Sequence, residues 1–385
     1  MSITYNVIDN DRGAAAGKGG VIMVISVPPL AVSVARTFGG DIDRDCVIKT
    51  ARAMVDRGFV KAGYRYLNIG DGWSSKERDK GTGSLLADAD KLGGSLRSLS
   101  DELGSLGIKL AIVTSGGTRT PNGYPGTFGH EYEDAAFFAE NGVAMVSQDF
   151  SSLPRRTDPV TMIRRTGLAL RAAGDSIIYS VYSGTEDLIR YIRATGAHLF
   201  HLRPWLDAAG VVFPPKEVLG YSVPGSLFNC GEIAVRNSVW LTDLKRSVII
   251  AAMASSPITV DADIASLDDE TVSILTDPDI IAVATDAECR PAGIMNGEPE
   301  AVMLKVLDGN RYAAAFVNET DRVRDIPFFA HDMGLTRDAK RFINADERVD
   351  GLRRFEFTDD MSVTLDSGDS ALFILTLKRK EAASK

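Results

Sequence analysis

Between residues 44 and 260 the chain repeats one pattern: apolar residues at helical spacing, then a short apolar run of strand type. Asp43 can cap a helix carrying Val47, Ala51, Met54 and Val55, and Gly58 can end it. Residues 64–69 read as a strand closed by Gly70-Asp71-Gly72. Helices over 95–106, 131–141, 158–173, 185–194 and 238–253 then alternate with strands over 109–114, 143–150, 177–182, 198–203, 226–230 and 257–260. With a first strand somewhere in 21–35, this makes about eight βα units, the rhythm of a (β/α)8 TIM barrel. A doubly wound open sheet would carry a glycine-rich phosphate loop after its first strand, whereas Gly17 to Gly20 precede that strand.

After about residue 296 the period changes. Short β-type runs over 301–307, 311–317, 324–328, 340–343, 353–357, 361–365 and 371–377 follow one another. Asp308-Gly309-Asn310 is a hairpin signal between the first two. The expected organisation is a catalytic barrel over 21–295 and an antiparallel β-sandwich domain over 296–380, within 385 residues.

Forty-three Lys+Arg against 52 Asp+Glu give a net charge of −9 with no basic block, which excludes nucleic acid and anionic membrane as partners. The apolar run from Val21 is too short to span a bilayer, and no N-terminal segment has the order of a secretory signal. Cys46, Cys230 and Cys289 are widely spaced and fit neither a disulfide framework nor a zinc site. A cytoplasmic, reducing location is expected, with no cofactor and no metal. His198 and His201, the only neighbouring histidines, read as packing or pocket lining.

In a barrel, chemistry gathers at the C-terminal ends of the strands. Residues 62–73 there read AGYRYLNIGDGW and residues 114–131 read TSGGTRTPNGYPGTFGHE. Residues 253–264 read MASSPITVDADI and residues 277–286 DPDIIAVATD. From about Pro28 onward the chain resembles glycoside hydrolase family 27, the α-galactosidase (melibiase) family. That resemblance implies retaining hydrolysis of an α-glycoside, in which one carboxylate attacks the anomeric carbon and another protonates the leaving oxygen about 5–5.5 Å away.

The family nucleophile ends strand four, and Asp149 in Val146-Ser147-Gln148-Asp149-Phe150 matches it. The bland alternative for Asp149 is a cap on the following turn. The family acid/base follows strand six, four residues after an arginine. Arg203 and Asp207 keep that spacing after a two-residue loop adjustment, while an ungapped match puts His201 and Trp205 there. An acid at Asp207 needs a raised pKa, which burial and a negative Asp149 nearby would supply.

The resemblance also implies Asp71, Trp73, Arg203, Ser147, Tyr182 and Glu232 as substrate-binding residues. This shell departs from the family. The first Asp of its DDGW is Gly70, its Lys before the nucleophile is Ser147, and its pocket-floor Trp is Val32. Its C-E-W turn is Tyr182-Ser183-Gly184, and its WNDPD is Phe228 to Glu232. Each lost charged hydrogen bond to a sugar hydroxyl would cost about 1.5–3 kcal/mol, which argues against ordinary galactosidase activity. Family disulfide partners stand here as Pro121 and Ser151. The expected partner is a small-molecule glycoside, with a homo-oligomer left open. A barrel that binds carbohydrate without turning it over is the alternative function.

Overall fold

A computed structural model describes residues 25–379 except 175, 184–185, 204–209, 237–239, 296–299, 336–340 and 352. Gly17 to Gly20, Trp205 and Asp207 lie outside the described residues. The parallel strands are β1 (Leu30–Ser33), β2 (Tyr66–Asn68), β3 (Lys109–Ser115), β4 (Val143–Asp149), β5 (Ile178–Tyr182), β6 (Leu199–His201), β7 (Leu227–Phe228), β8 (Glu232–Ala234) and β9 (Ile258–Asp261). They follow the order β7-β6-β5-β4-β3-β2-β1-β9-β8. β7 and β8 are two pieces of one run, broken at Asn229-Cys230-Gly231; β7 pairs with β6 and β8 with β9. That run therefore closes the sheet into an eight-position (β/α)8 barrel.

Helices α1 (Arg44–Asp56), α2 (Phe59–Ala62), α3 (Ala89–Leu92), α4 (Leu96–Ser105), α5 (Glu131–Glu140), α6 (Pro159–Ala173), α7 (Ile192–Thr195), α8 (Lys216–Leu219), α9 (Leu241–Met253), α10 (Asp269–Leu275) and α11 (Pro278–Ala284) connect the strands and complete the outer layer. Local chemistry sets their starts. Asp43 accepts from the Cys46 N–H, Ser95 from the Ser98 N–H, and Asp158 from the Thr161 N–H with Pro159 in the first turn. The expected helix over 185–194 is instead a 3-10 segment, Glu186–Tyr191, running into the single turn of α7.

Alternation along each strand divides the interior. Leu67, Ile112, Val146, Tyr179, Val181 and Phe200 join the sheet–helix core. Ala31, Tyr66, Ala111, Met145, Ile178, Leu199 and Leu227 fill the barrel's lower interior. Above them the inward positions turn polar, with Asn68, Ser147, Ser180, Asn229 and Glu232 around a cavity of only about 10 Å³. Period-2 patterning selects the inward residues, and their order along each strand, apolar first and polar second, sets the floor and the mouth.

The second sheet runs β10 (Gly293–Ile294), β11 (Glu300–Leu307), β12 (Arg311–Asn318), β17 (Ser370–Arg379), β14 (Arg341–Arg348), β15 (Arg354–Phe357), with β13 (Arg324–Phe329) and β16 (Asp360–Leu365) as a separate pair. Asp308-Gly309-Asn310 joins β11 to β12, with Gly309 and Asn310 at φ 75° and 57°. The antiparallel layers enclose Phe316, Phe328 and Phe373. Lys305 fastens this sheet to the barrel. Its ammonium, fully buried, donates to the Ala252 carbonyl (2.8 Å) and the Val283 carbonyl (2.7 Å), in the last turns of α9 and α11. Two helix C-termini offer a cation their partial negative charge, while burial still pushes the Lys305 pKa down to about 8.

Candidate active site

Register puts the chemistry in one row. Ser115 on β3 pairs with Asp149 on β4, Asp149 with Tyr182 on β5, and Tyr182 with His201 on β6. Neighbouring strands are about 4.8 Å apart, so Asp149 and His201 are separated by about 10 Å of backbone across Tyr182. All three side chains are buried.

Asp149 is the last residue of β4, on the inward parity of Met145 and Ser147. Its Oδ1 accepts from the Ser151 N–H (2.8 Å) and from the Ser151 hydroxyl. The turn-cap geometry expected as the bland alternative is therefore real, and it fixes the carboxylate's direction. Close loop packing holds that strand end from above. A Cβ on Gly116 would come within 2.1 Å of the Phe150 ring, and one on Gly117 within 2.3 Å of the Ser152 carbonyl oxygen. Gly116 and Gly117 after β3 thus let the third and fourth strand ends lie against each other.

Asp71 follows β2 and is buried; its Oδ1 accepts from the Asn122 amide (3.1 Å), and its Oδ2 has no partner among the described residues. A buried carboxylate oxygen without a donor is costly unless a ligand supplies one. Gly70 beside it has φ +70°, and a Cβ there would meet the Ala35 Cβ at 2.9 Å. The missing first aspartate therefore accompanies a backbone with no room for it.

Opposite lies a second group. The Asn229 amide donates to the Tyr182 hydroxyl (3.2 Å), and the phenol also bonds to Glu232. Burial first, then the negative Glu232, raises the Tyr182 pKa and keeps it a neutral phenol. Arg36 reaches Glu232 with Nε (3.2 Å), and its backbone N–H donates to Asp261 (3.2 Å). Asp261 also accepts from the Thr37 hydroxyl (2.8 Å) and from Arg236 (2.9 Å), joining the first, seventh and eighth strand ends. His201 stacks on Tyr182 with ring centroids 5.4 Å apart. His201 Nδ1 accepts from the Arg203 N–H (2.8 Å) and lies 3.2 Å from the Arg203 carbonyl oxygen; the shorter contact, which Nδ1 can make only as an acceptor, assigns the ring proton to Nε2. Burial, with the positive charges of Arg203 and Arg36, pushes the His201 pKa down to about 4, so the ring is neutral near pH 7.

Asp71, Asp149, Tyr182 and Glu232 thus come from the second, fourth, fifth and seventh strand positions of one barrel, with Asp149 and Tyr182 on neighbouring strands. Trp73 does not join them: its ring packs on Phe137 and Phe138 of α5, and its Nε1–H donates to the Val113 carbonyl (3.4 Å), a wall-building role. Ser147 lies one inward step below Asp149, against the 10 Å³ cavity, which has room for about one water and not for a sugar. Val32 belongs to the sheet–helix core. Arg203 stands two residues past β6, its Nη2 donating to the Gly210 carbonyl (3.2 Å), so His201 and not Arg203 holds the strand-end position. Asn122, Asn229, Ser151 and Asp261 join the site without having stood out in the sequence as site residues. Only Ser151, two residues after an aspartate, carries a readable signal there, that of an Asx turn.

Among the described residues no group of three or more His, Cys, Asp or Glu is placed to hold a metal ion. No described helix is long and apolar enough to cross a membrane.

The family model described as alpha galactosidase A, of the melibiase group, matches residues 38–196. The chain is 26% identical over 362 residues to an alpha-galactosidase of Cyamopsis tetragonoloba, covering 91% of this chain and 86% of that protein. Its fold is that of alpha-galactosidase I from Mortierella vinacea, with TM-score 0.83 at 19% identity over 94% of this chain and 99% of the other. A β-L-arabinopyranosidase from Geobacillus stearothermophilus superposes with TM-score 0.76 at 14% identity, over 94% and 98% of the two chains. The curated relative and the solved structures match barrel and β-domain alike, and the family model matches within the barrel, so the chain is similar over nearly its whole length to the α-galactosidases (melibiases) of glycoside hydrolase family 27.

Proposed function

We propose that this protein is a retaining glycoside hydrolase for an uncharged α-galactoside-like pyranoside, working by double displacement, with a sugar pocket remodelled relative to its relatives. The observation that carries the reading is Asp149, buried at the end of β4 and aimed by Ser151, with Asp71, after β2 and one strand removed, holding a buried oxygen unpartnered among the described residues. Asp149 attacks the anomeric carbon and forms a glycosyl ester; water then releases the sugar with its configuration retained. Asp207 is proposed as the acid that protonates the leaving oxygen and then, as base, activates the water. An uncharged sugar is favoured over an anionic one because two of the arginines near the strand ends, Arg36 and Arg119, are already paired with carboxylates. Arg36 pairs with Glu232 and Asp261, and Arg119 with Glu77. Cytoplasmic location is proposed on the sequence grounds alone.

The test is hydrolysis of p-nitrophenyl α-D-galactoside, α-N-acetylgalactosaminide and β-L-arabinopyranoside, with the first-formed anomer identified by proton NMR. The product is expected to keep the substrate's anomeric configuration. An inverted product, or turnover of none of the three, contradicts the proposal and favours a barrel that only binds carbohydrate.

A further inference from the structure

The ring of His201 has two hydrogen-bonding positions, and the protein uses one. Nδ1 faces the chain at Arg203, accepting its N–H at 2.8 Å with the Arg203 carbonyl oxygen farther off at 3.2 Å, which assigns the proton to Nε2. Nε2, across the ring, is buried and has no partner among the described residues. The ring's direction is not left to chance, since Tyr182 and Phe228 flank it in near-parallel planes, at 22° and 20°, with centroids 5.4 Å and 6.3 Å away. Tyr182 is tied in turn to Asn229 and Glu232. An oriented, buried N–H with nothing to donate to carries an uncompensated desolvation cost in the unliganded fold, recovered only when an acceptor arrives. Asp149, two strands away in the same row, marks the space from which that acceptor comes.

We propose that His201 is a specificity-determining residue of this site, its Nε2–H donating to one hydroxyl oxygen of an uncharged pyranoside bound over Asp149. This rests on the glycosidase reading above and adds to it which side chain selects the sugar. A neutral N–H suits a hydroxyl, which can pass its own proton on to a carboxylate such as Asp71. Arg203 and Arg36 are the cations whose charge reaches the ring, Tyr182 is the phenol stacked on it, with Glu232 bonded to that phenol, and Asp149 is the carboxylate in its row. With the ring neutral near pH 7, the contact is expected to be unchanged between about pH 5.5 and 8.

The test compares wild type, His201→Phe and His201→Gln on p-nitrophenyl α-D-galactoside and its 2-, 3-, 4- and 6-deoxy analogues. Phe keeps the flat ring without the donor, while Gln returns an N–H near Nε2. Wild type is expected to lose about tenfold in kcat/KM on one analogue, the effect of one neutral hydrogen bond. His201→Phe should lose about tenfold on the parent substrate and show no further penalty on that analogue, whereas His201→Gln keeps the penalty. If His201→Phe does not fold, His201→Asn, whose amide reaches the Nδ1 position only, serves as the variant without the donor. The same penalties in wild type and donor-less variant for all four analogues overturn the proposal. If wild type hydrolyses none of them, calorimetric titration with galactose and the four deoxygalactoses decides the matter. The same pattern in Kd supports His201 while the hydrolase reading falls, and a pattern independent of residue 201, or no binding, overturns it.

Discussion

At the scale of single residues, the account depends on Asp149 being held for attack and not merely capping a turn. It does both: Ser151 occupies Oδ1, and the strand parity points the carboxylate inward. Asp149→Asn preserves shape and can still accept at its Oδ1, but an amide cannot form the ester. Its kcat is expected to fall by roughly 10³-fold or more, with sugar affinity retained. Near-normal turnover in this variant would mean that another group attacks. Asp207→Ala should slow natural glycosides far more than activated aryl glycosides, since a nitrophenolate leaves with little protonation. Equal losses on both would remove Asp207 from the acid/base role.

At the scale of elements, the loops are coupled where glycines let backbones touch. Gly70 is the clearest case. The family aspartate missing there could be restored by Gly70→Asp, but φ +70° and the Ala35 Cβ at 2.9 Å oppose it. Gly70→Asp is expected to lower stability by about 1–3 kcal/mol, as overpacking does. Ala35→Gly in the same chain should recover part of that loss; thermal melts showing no loss, or no recovery, would contradict the account. The strands and most helices are legible in the sequence because period and punctuation agree, as in Asp158-Pro159 before α6 and Gly174 after it. Less legible is what depends on register between strands. The residue pair 203 and 207 has the family spacing, yet His201 closes β6 opposite Tyr182, which only pairing across strands decides. Trp73 packs on α5 instead of lining the site for a related reason: a motif tells which residues recur and not which face of the loop they take. The segment 185–194 tightens into 3-10 turns, where apolar spacing alone does not separate the two geometries.

At the scale of the whole molecule, Lys305 is a buried polar fastening between barrel and β-domain. Removing its ammonium leaves the Ala252 and Val283 carbonyls without that donor, so Lys305→Met is expected to cost about 1–3 kcal/mol near pH 7. The folded pKa of about 8 lies below the ordinary 10.5. Between these values the unfolded chain holds a proton that the folded one has released, so this group's contribution to stability rises with pH. The gap between wild type and Lys305→Met should therefore widen from pH 8 to pH 10.5; a constant gap would show that Lys305 titrates normally. The central claim, covalent catalysis by Asp149 in this assembled barrel, is tested most directly by trapping the ester. Incubation with 5-fluoro-α-D-galactosyl fluoride, followed by intact and peptide mass spectrometry, should show one added fluorosugar per chain, carried by the peptide containing Asp149 and absent from Asp149→Asn. A fluorosugar on a different carboxylate, or turnover of the reagent in wild type without any covalent adduct, would contradict it.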